Sequence, residues 1–349
     1  MITIHHLLVE AIERNASDLH LTQNAPPILR IDGRLEMLDL PPLTSGDSRT
    51  MIYSLLNDGQ KAKFEEDWEL DLSVEIEDIG RFRVNVHRQR GAVEAAFRVV
   101  NDQIKSLKQL GLPSVTEEIA RKTSGLILVT GPTGSGKTST LAAMINQINE
   151  EQHRMIITVE DPIEYIHRNK RSVVKQREVT SDTHSFSEAL RHVLRQDPDV
   201  VVIGEMRDLE TISTALTAAE TGHLVLATIH TPDAVQTVDR IIDVFPPNQQ
   251  TQVRIQLANT LQAIIAQQLL AVPGGRGRVP ATEILIATVG ARNIIRNAKT
   301  EQLNSLLQTN YDMGMMTMDK ILKNLYQQGL ISYDDAMSRS KFPETFDSI

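Results

Sequence analysis

Eight consecutive residues, Gly131-Pro132-Thr133-Gly134-Ser135-Gly136-Lys137-Thr138, carry the strongest chemical signal in the chain. The three glycines permit backbone conformations that turn several N–H groups toward one point. An apolar run at residues 126–130 enters the loop and a helical pattern at 138–148 leaves it, so the positive end of a helix faces the same point. Such a loop cradles a polyphosphate. Lys137 is placed to reach the β- and γ-phosphates and the Thr138 hydroxyl to ligate Mg²⁺. Ser139, counted with the nucleotide-binding residues, and Thr140 help to begin the helix.

Phosphoryl transfer to water would also need a carboxylate beside the metal and another to orient or deprotonate the water. Two apolar runs lead into acids: 156–159 into Glu160, Asp161 and Glu164, and 200–203 through Gly204 into Glu205. Ligands of parallel sheets gather at the carboxyl ends of strands. The second run departs from the usual Walker B spelling, in which Asp ends the strand. Here Asp199 precedes it and Glu205 follows, which makes Glu205 the carboxylate on the Mg²⁺ side. Asp161 has an alternative use as the cap of a following helix.

His223 and His230 bracket residues 224–229, and that odd separation puts their rings on opposite strand faces, against a shared metal. His230, at the carboxyl end, is placed to sense a γ-phosphate or polarise water; spacing alone equally allows a structural histidine. A guanidinium commonly stabilises the charge of a phosphoryl group in flight, sometimes from a neighbouring subunit. Arg81 and Arg83 share a strand face, Arg98 lies on the next strand, and Arg191 and Arg195 are spaced one helical turn apart.

These residues need a scaffold, and 349 residues with 41% apolar content exceed what one core usually organises. Residues 1–100 read as a small α+β domain: a helix at 4–14, then strands at 81–87 and 93–100 forming a hairpin about Gly91. Residues 101–115, polar with Gly111 and Pro113, suit a linker. From 116 to 349, buried runs alternate with helical segments, which implies an α/β domain with a mainly parallel sheet covered on both faces. Residues 264–270 and 279–286, parted by Pro273-Gly274-Gly275-Arg276-Gly277, predict an antiparallel edge hairpin, and the last sixty or so residues look helical. Met313, Met315, Met316 and Met318 read as core filler.

A net charge of −9 argues against a protein whose main task is wrapping nucleic acid or coating an acidic membrane, leaving room for a local basic patch. The absence of cysteine excludes disulfides and thiolate zinc sites and fits a reducing compartment, with the cytoplasm as the expected location. No run of about eighteen apolar residues and no export signal is present, so neither membrane crossing nor secretion is expected.

The combination resembles the type II/IV secretion and pilus ATPases, most closely the retraction motors of type IV pili. The likeness spans nearly the whole chain. Ser17-Asp18-Leu19-His20-Leu21, Pro26-Pro27 and Ile31-Asp32-Gly33 match that family's PAS-like N-terminal domain, and Glu160-Asp161-Pro162-Ile163-Glu164-Tyr165 its Asp box. Gln196 to Asp208 match its atypical Walker B, and Thr221 to Thr231 its His box. The resemblance implies a RecA-like P-loop ATPase core, Glu164 as catalytic glutamate, Glu205 as Walker B acid and His230 as the active histidine. It further implies Arg81, Arg83 and Arg98 as arginines that approach nucleotide near a subunit interface, with ATP and Mg²⁺ as cofactors. The expected assembly is a homo-hexamer at the cytoplasmic face of the inner membrane, acting on a pilus platform protein, with no nucleic acid and only peripheral contact with the membrane machinery. Extension and secretion relatives typically carry a tetracysteine zinc module that this chain, without cysteine, cannot build. Residues 290–299 resemble the retraction signature Ala-Ile-Arg-Asn-Leu-Ile-Arg-Glu, departing from it at Gly290, Ala291, Ile294 and Asn297. Alternatives are an extension or secretion ATPase, a nucleotide-gated regulatory subunit with little turnover, and a nucleic-acid translocase.

Overall fold

The computed structural model describes residues 3–31, 33–77, 79–100, 103–274 and 277–343. Asp32 of the opening motif, Asn101 and Asp102 of the linker, and Gly275 and Arg276 of the hairpin turn lie outside the described residues. The chain divides into two units, one of residues 1–103 with 164–166, the other of 104–163 with 167–349.

In the first unit Thr3 caps α1 (Ile4–Glu13) by accepting the His6 N–H, and the helix buries Ile4, Leu7, Leu8 and Ala11 at helical spacing. There follow β1 (Asp18–Leu21), β2 (Ile28–Ile31), β3 (Arg34–Met37), α2 (Ser45–Tyr53), α3 (Asp58–Asp67), β4 (Glu69–Ile76), β5 (Gly80–Gln89) and β6 (Ala92–Val99). The strands form an antiparallel sheet in the order β3-β2-β1-β6-β5-β4. On β5, Phe82, Val84 and Val86 enter the core, so Arg81, Arg83, Asn85 and His87 occupy the opposite face by the two-residue period. Arg83 lies directly across from Arg98, a like-charge pair whose repulsion is relieved by Asp18 on the far side, 3.0 Å from Arg98 Nε. The Asp18 of the opening motif is thus an anchor for arginine.

The second unit runs α4 (Val115–Ala120), β7 (Gly125–Thr130), α5 (Lys137–Glu151), β8 (Met155–Glu160), β9 (Val173–Glu178), α6 (Phe186–Val193), β10 (Val200–Ile203), α7 (Leu209–Glu220), β11 (Leu224–Ile229), α8 (Ala234–Asp243), α9 (Pro247–Thr260), β12 (Leu261–Ala271), β13 (Arg278–Ile286), α10 (Val289–Arg296), α11 (Leu303–Thr309), α12 (Met318–Gln327) and α13 (Tyr333–Arg339). Its sheet has the order β13-β12-β7-β11-β10-β8-β9, with every pairing parallel except that of β13. Alternate residues of β7 feed separate cores: Leu126 and Leu128 pack with α7, α8 and α9, while Ile127 and Val129 pack with α4 and α5. That two-sided burial is why the strand reads as an unbroken apolar run. Leu107 and Leu112, within the polar stretch before α4, join the second of these cores.

Some expectations change. β9 is a polar edge strand without an apolar run, so the sequence pattern does not announce it. α6 ends at Val193, so Arg195 lies beyond it, and Arg191 is paired to Glu210. Met315 and Met318 are buried, whereas Met313 is exposed. In the signature-like segment, Ala291 and Ile295 are buried and the Arg292 guanidinium donates to the carbonyls of Ala287, Ala258 and Asn259 at 2.9, 2.7 and 2.6 Å. It thereby caps the C-terminus of α9, where carbonyls lack helical partners.

Candidate nucleotide site

The loop after β7 ends at Gly136, from which α5 begins with no side chain capping its first N–H groups. Those amides and the macrodipole of a 15-residue helix converge on the loop. Lys137 is buried, and its ammonium donates to the carbonyls of Gly131 and Pro132 at 2.8 and 2.9 Å. Thr138 and Ser139 follow in the first turn. Thr140, expected only to help begin the helix, instead turns its hydroxyl into the interior toward Gln267 at 2.8 Å.

Glu205 stands two residues past the end of β10, in a segment stapled on both sides. Gly204 N–H donates to Val159 O of β8 at 2.8 Å, Met206 N–H to Thr228 O of β11 at 2.9 Å, and the Thr228 hydroxyl to Gly204 O at 2.5 Å. Gly204 has no room for a side chain without crowding the backbone at Val159 and Glu160, at 3.2 and 3.3 Å. Arg207 grips both Glu205 oxygens at 2.7 Å. Burial alone pushes the Glu205 carboxyl up, but the Arg207 hydrogen bond, with His230 alongside, outweighs it and holds the carboxyl below its ordinary range.

His230 lies between the lysine and this glutamate, its Nδ1 3.4 Å from Lys137 Nζ and its Nε2 3.3 Å from Glu205 Oε2. An ammonium can only donate, so Nδ1 accepts, and the neutral tautomer compatible with both contacts carries its proton on Nε2, facing the carboxylate. Lys137, His230 and Glu205 therefore form one line across the carboxyl ends of β7, β11 and β10. His223 is at the other end of β11, its Nδ1 against Ala218 O and Thr221 Oγ1 at 3.0 and 3.1 Å, a structural histidine. Asp199, also at that end, anchors β8 by accepting the Met155 N–H at 2.8 Å.

The acids after β8 separate by role. Glu160 accepts from Thr158 and Gln176 at 2.6 and 3.0 Å, tying β8 to β9. Asp161 caps no helix, since none follows β8; its charge is felt by Arg207, whose pKa is raised chiefly by the Glu205 hydrogen bond. Glu164 is exposed and belongs, with Tyr165 and Ile166, to the first unit, as do Arg81, Arg83 and Arg98.

Sequence reasoning missed two participants. Arg207 sits inside a recognised motif, but nothing in its spacing announced the grip on Glu205. Gln267 of β12 is 3% exposed, and its amide nitrogen donates to Ser135 O of the loop at 2.8 Å. It lies far along the chain in an apolar strand, and only its polarity there was a signal.

The groups present fit a metal nucleotide. The Thr138 hydroxyl has no hydrogen-bond partner among the described residues, and Glu205 is ionised and partly exposed. No cluster of three or more acidic, histidine or cysteine side chains fit to hold an ion by itself occurs among the described residues.

A phosphate cradle between strand and helix on a mainly parallel sheet, with a histidine and a carboxylate on the adjoining strand ends, defines a P-loop protein with a RecA-like α/β core. The family described as type II/IV secretion system protein matches residues 1–337, and the chain belongs to that family. It is 47% identical to the type IV pilus retraction ATPase PilT of Pseudomonas aeruginosa, over 98% of this chain and 99% of that one. It is 40% identical to the type IV pilus ATPase PilU of the same organism, over 96% of this chain and 87% of that one. A crystal structure of the pilus retraction motor PilT with bound ADP superposes with a TM-score of 0.93 at 50% identity, covering 100% of both chains.

Proposed function

We propose that this chain is a Mg²⁺-dependent ATPase that powers type IV pilus retraction, and hence twitching motility, as a homo-hexamer. The observation that carries the reading is the Lys137–His230–Glu205 line in a chain that aligns end to end with a pilus retraction ATPase. Residues 131–139 hold ATP, with Lys137 on the β- and γ-phosphates. Thr138 and Glu205 hold Mg²⁺, which when bound neutralises charge developing on the phosphates. Glu164 deprotonates or orients the attacking water, and His230 senses the γ-phosphate and reports it to Glu205. Arg81, Arg83 and Arg98 approach the nucleotide near a subunit interface, linking hydrolysis to movement. The working place is the cytoplasmic face of the inner membrane, on a pilus platform protein. Among the described residues no helix is long and apolar enough to cross a membrane.

The test deletes the gene and watches labelled pili. Pili that extend and fail to withdraw support the reading, while a cell without pili points to extension. Purified Lys137→Ala and Glu164→Ala proteins are expected to lose hydrolysis; retention in both removes the proposed site.

A further inference from the structure

We infer that Gln267 is a positioning residue for the phosphate loop, its carboxamide setting the loop's shape from outside the loop. The inference rests on reading residues 131–138 as the nucleotide site. β12 pairs in parallel with β7, Ala266 beside Thr130, so Gln267 comes level with Gly131, where the loop leaves the sheet. Its two polar ends are both used: Nε2 donates to Ser135 O at 2.8 Å, and Oε1 accepts the Thr140 hydroxyl at 2.8 Å. The orientation of the amide is dictated by chemistry, because the Ser135 carbonyl can only accept. One buried side chain thus binds the end of the loop and the first turn of α5 at once.

The loop is moulded onto this residue. A Cβ on Gly131, where φ is +140°, would lie 2.2 Å from Gln267 O, and one on Gly136, where φ is +87°, would lie 2.8 Å from Gln267 Nε2. Gly131 is therefore required by the approach of the β12 main chain as well as by its dihedral, while Gly136, required by its own dihedral, is where a side chain would crowd the Gln267 carboxamide. Because the contact is to the loop backbone, it fixes the direction of the N–H groups before nucleotide arrives. Its loss should weaken ground state and transition state alike, which raises KM more than it lowers kcat.

The test compares full-length Gln267→Glu, Gln267→Met and Thr140→Val with the unaltered protein, reading kcat and KM for ATP and the Kd of a fluorescent ATP analogue. Gln267→Glu keeps an acceptor for Thr140 but turns an oxygen toward Ser135 O. A rise in KM and Kd of roughly tenfold is expected, the scale of one buried hydrogen bond, with kcat within about threefold. Thr140→Val, a near-isosteric change that keeps the fold if the others do not, should raise KM severalfold, and its effect should not add to that of Gln267→Glu. Leu270→Ala, on the same strand but facing the α12 cluster, should lower the melting temperature without moving KM. Unchanged KM and Kd in folded Gln267 variants and in Thr140→Val overturn the inference, as does an equal rise in KM for Leu270→Ala. Lys137→Ala that binds the analogue with an unchanged Kd overturns the nucleotide-site reading instead.

Discussion

Nδ1 of His230 lies 3.4 Å from the ammonium of Lys137, across the boundary between the phosphate loop and the neighbouring strand end. The imidazole touches both Lys137 and the carboxylate of Glu205. On the proposed reading, a change at bound phosphates has a route through this ring to Glu205.

Replacing His230 by Ala should lower ATP hydrolysis by about 10²-fold, the low end for a group that assists proton movement or water polarisation. Nucleotide affinity should stay within about threefold, because the loop backbone and Lys137 do the binding. Phosphate release and analogue binding measured side by side check this. Wild-type turnover would return His230 to a purely structural role.

Glu205 and Arg207 should behave as a coupled pair. Glu205→Gln is expected to reduce kcat by about 10²–10³-fold, as for loss of a group acting on transition-state charge. Arg207→Ala leaves the carboxylate ungripped and should cost about tenfold, as for a residue that orients a ligand. The two losses should not add in the double variant, and full additivity in kcat would show that Arg207 acts on its own.

Arg292→Ala should lower stability by about 1–3 kcal/mol, since it removes a charged donor from three carbonyls around the end of α9. Arg292→Lys should recover part of it, because an ammonium cannot span those acceptors as a planar guanidinium does. Denaturant unfolding reads both. Equal stability of all three proteins would leave the signature-like segment without this structural role.

Acid should destabilise the second unit through His167. Burial, with Lys170 nearby, lowers its pKa from 6.5 to about 4, and its Nδ1 is buried without a partner among the described residues. The unfolded chain takes up the proton below 6.5 and the folded chain does not until about 4, so stability is full above 6.5 and falls as pH drops between them. At pH 5 the loss from this group is about 2 kcal/mol. His167→Gln should shrink the difference in melting temperature between pH 7 and pH 5; an undiminished difference would place the acid sensitivity elsewhere.

Much of the site was legible because its signals are local. The strand, the glycine-spaced loop and the helix after it follow from dihedral freedom and apolar period, and the structure places them at β7, residues 131–136 and α5. The edge hairpin of β12 and β13 was legible for the same reason, through its turn residues. Roles assigned by position alone fared differently: Asp161 caps nothing, Glu160 is consumed in pairing β8 to β9, and Thr140 points inward. A side chain's direction and partner are settled by packing that no local window contains.

By itself the sequence determined that a glycine-spaced loop joins a buried strand to a helix, that acids and a histidine follow buried strands, and that no thiolate chemistry is available. Only the tertiary structure decided which of these groups meet. The order β12-β7-β11-β10-β8 puts β11 between the loop strand and the Glu205 strand, so His230 falls between Lys137 and Glu205. The same order lays β12 on the other side of β7, so Gln267 reaches the loop. Strand order arises from non-local pairing and the packing of both sheet faces. The phosphate loop is local, but the company it keeps is not.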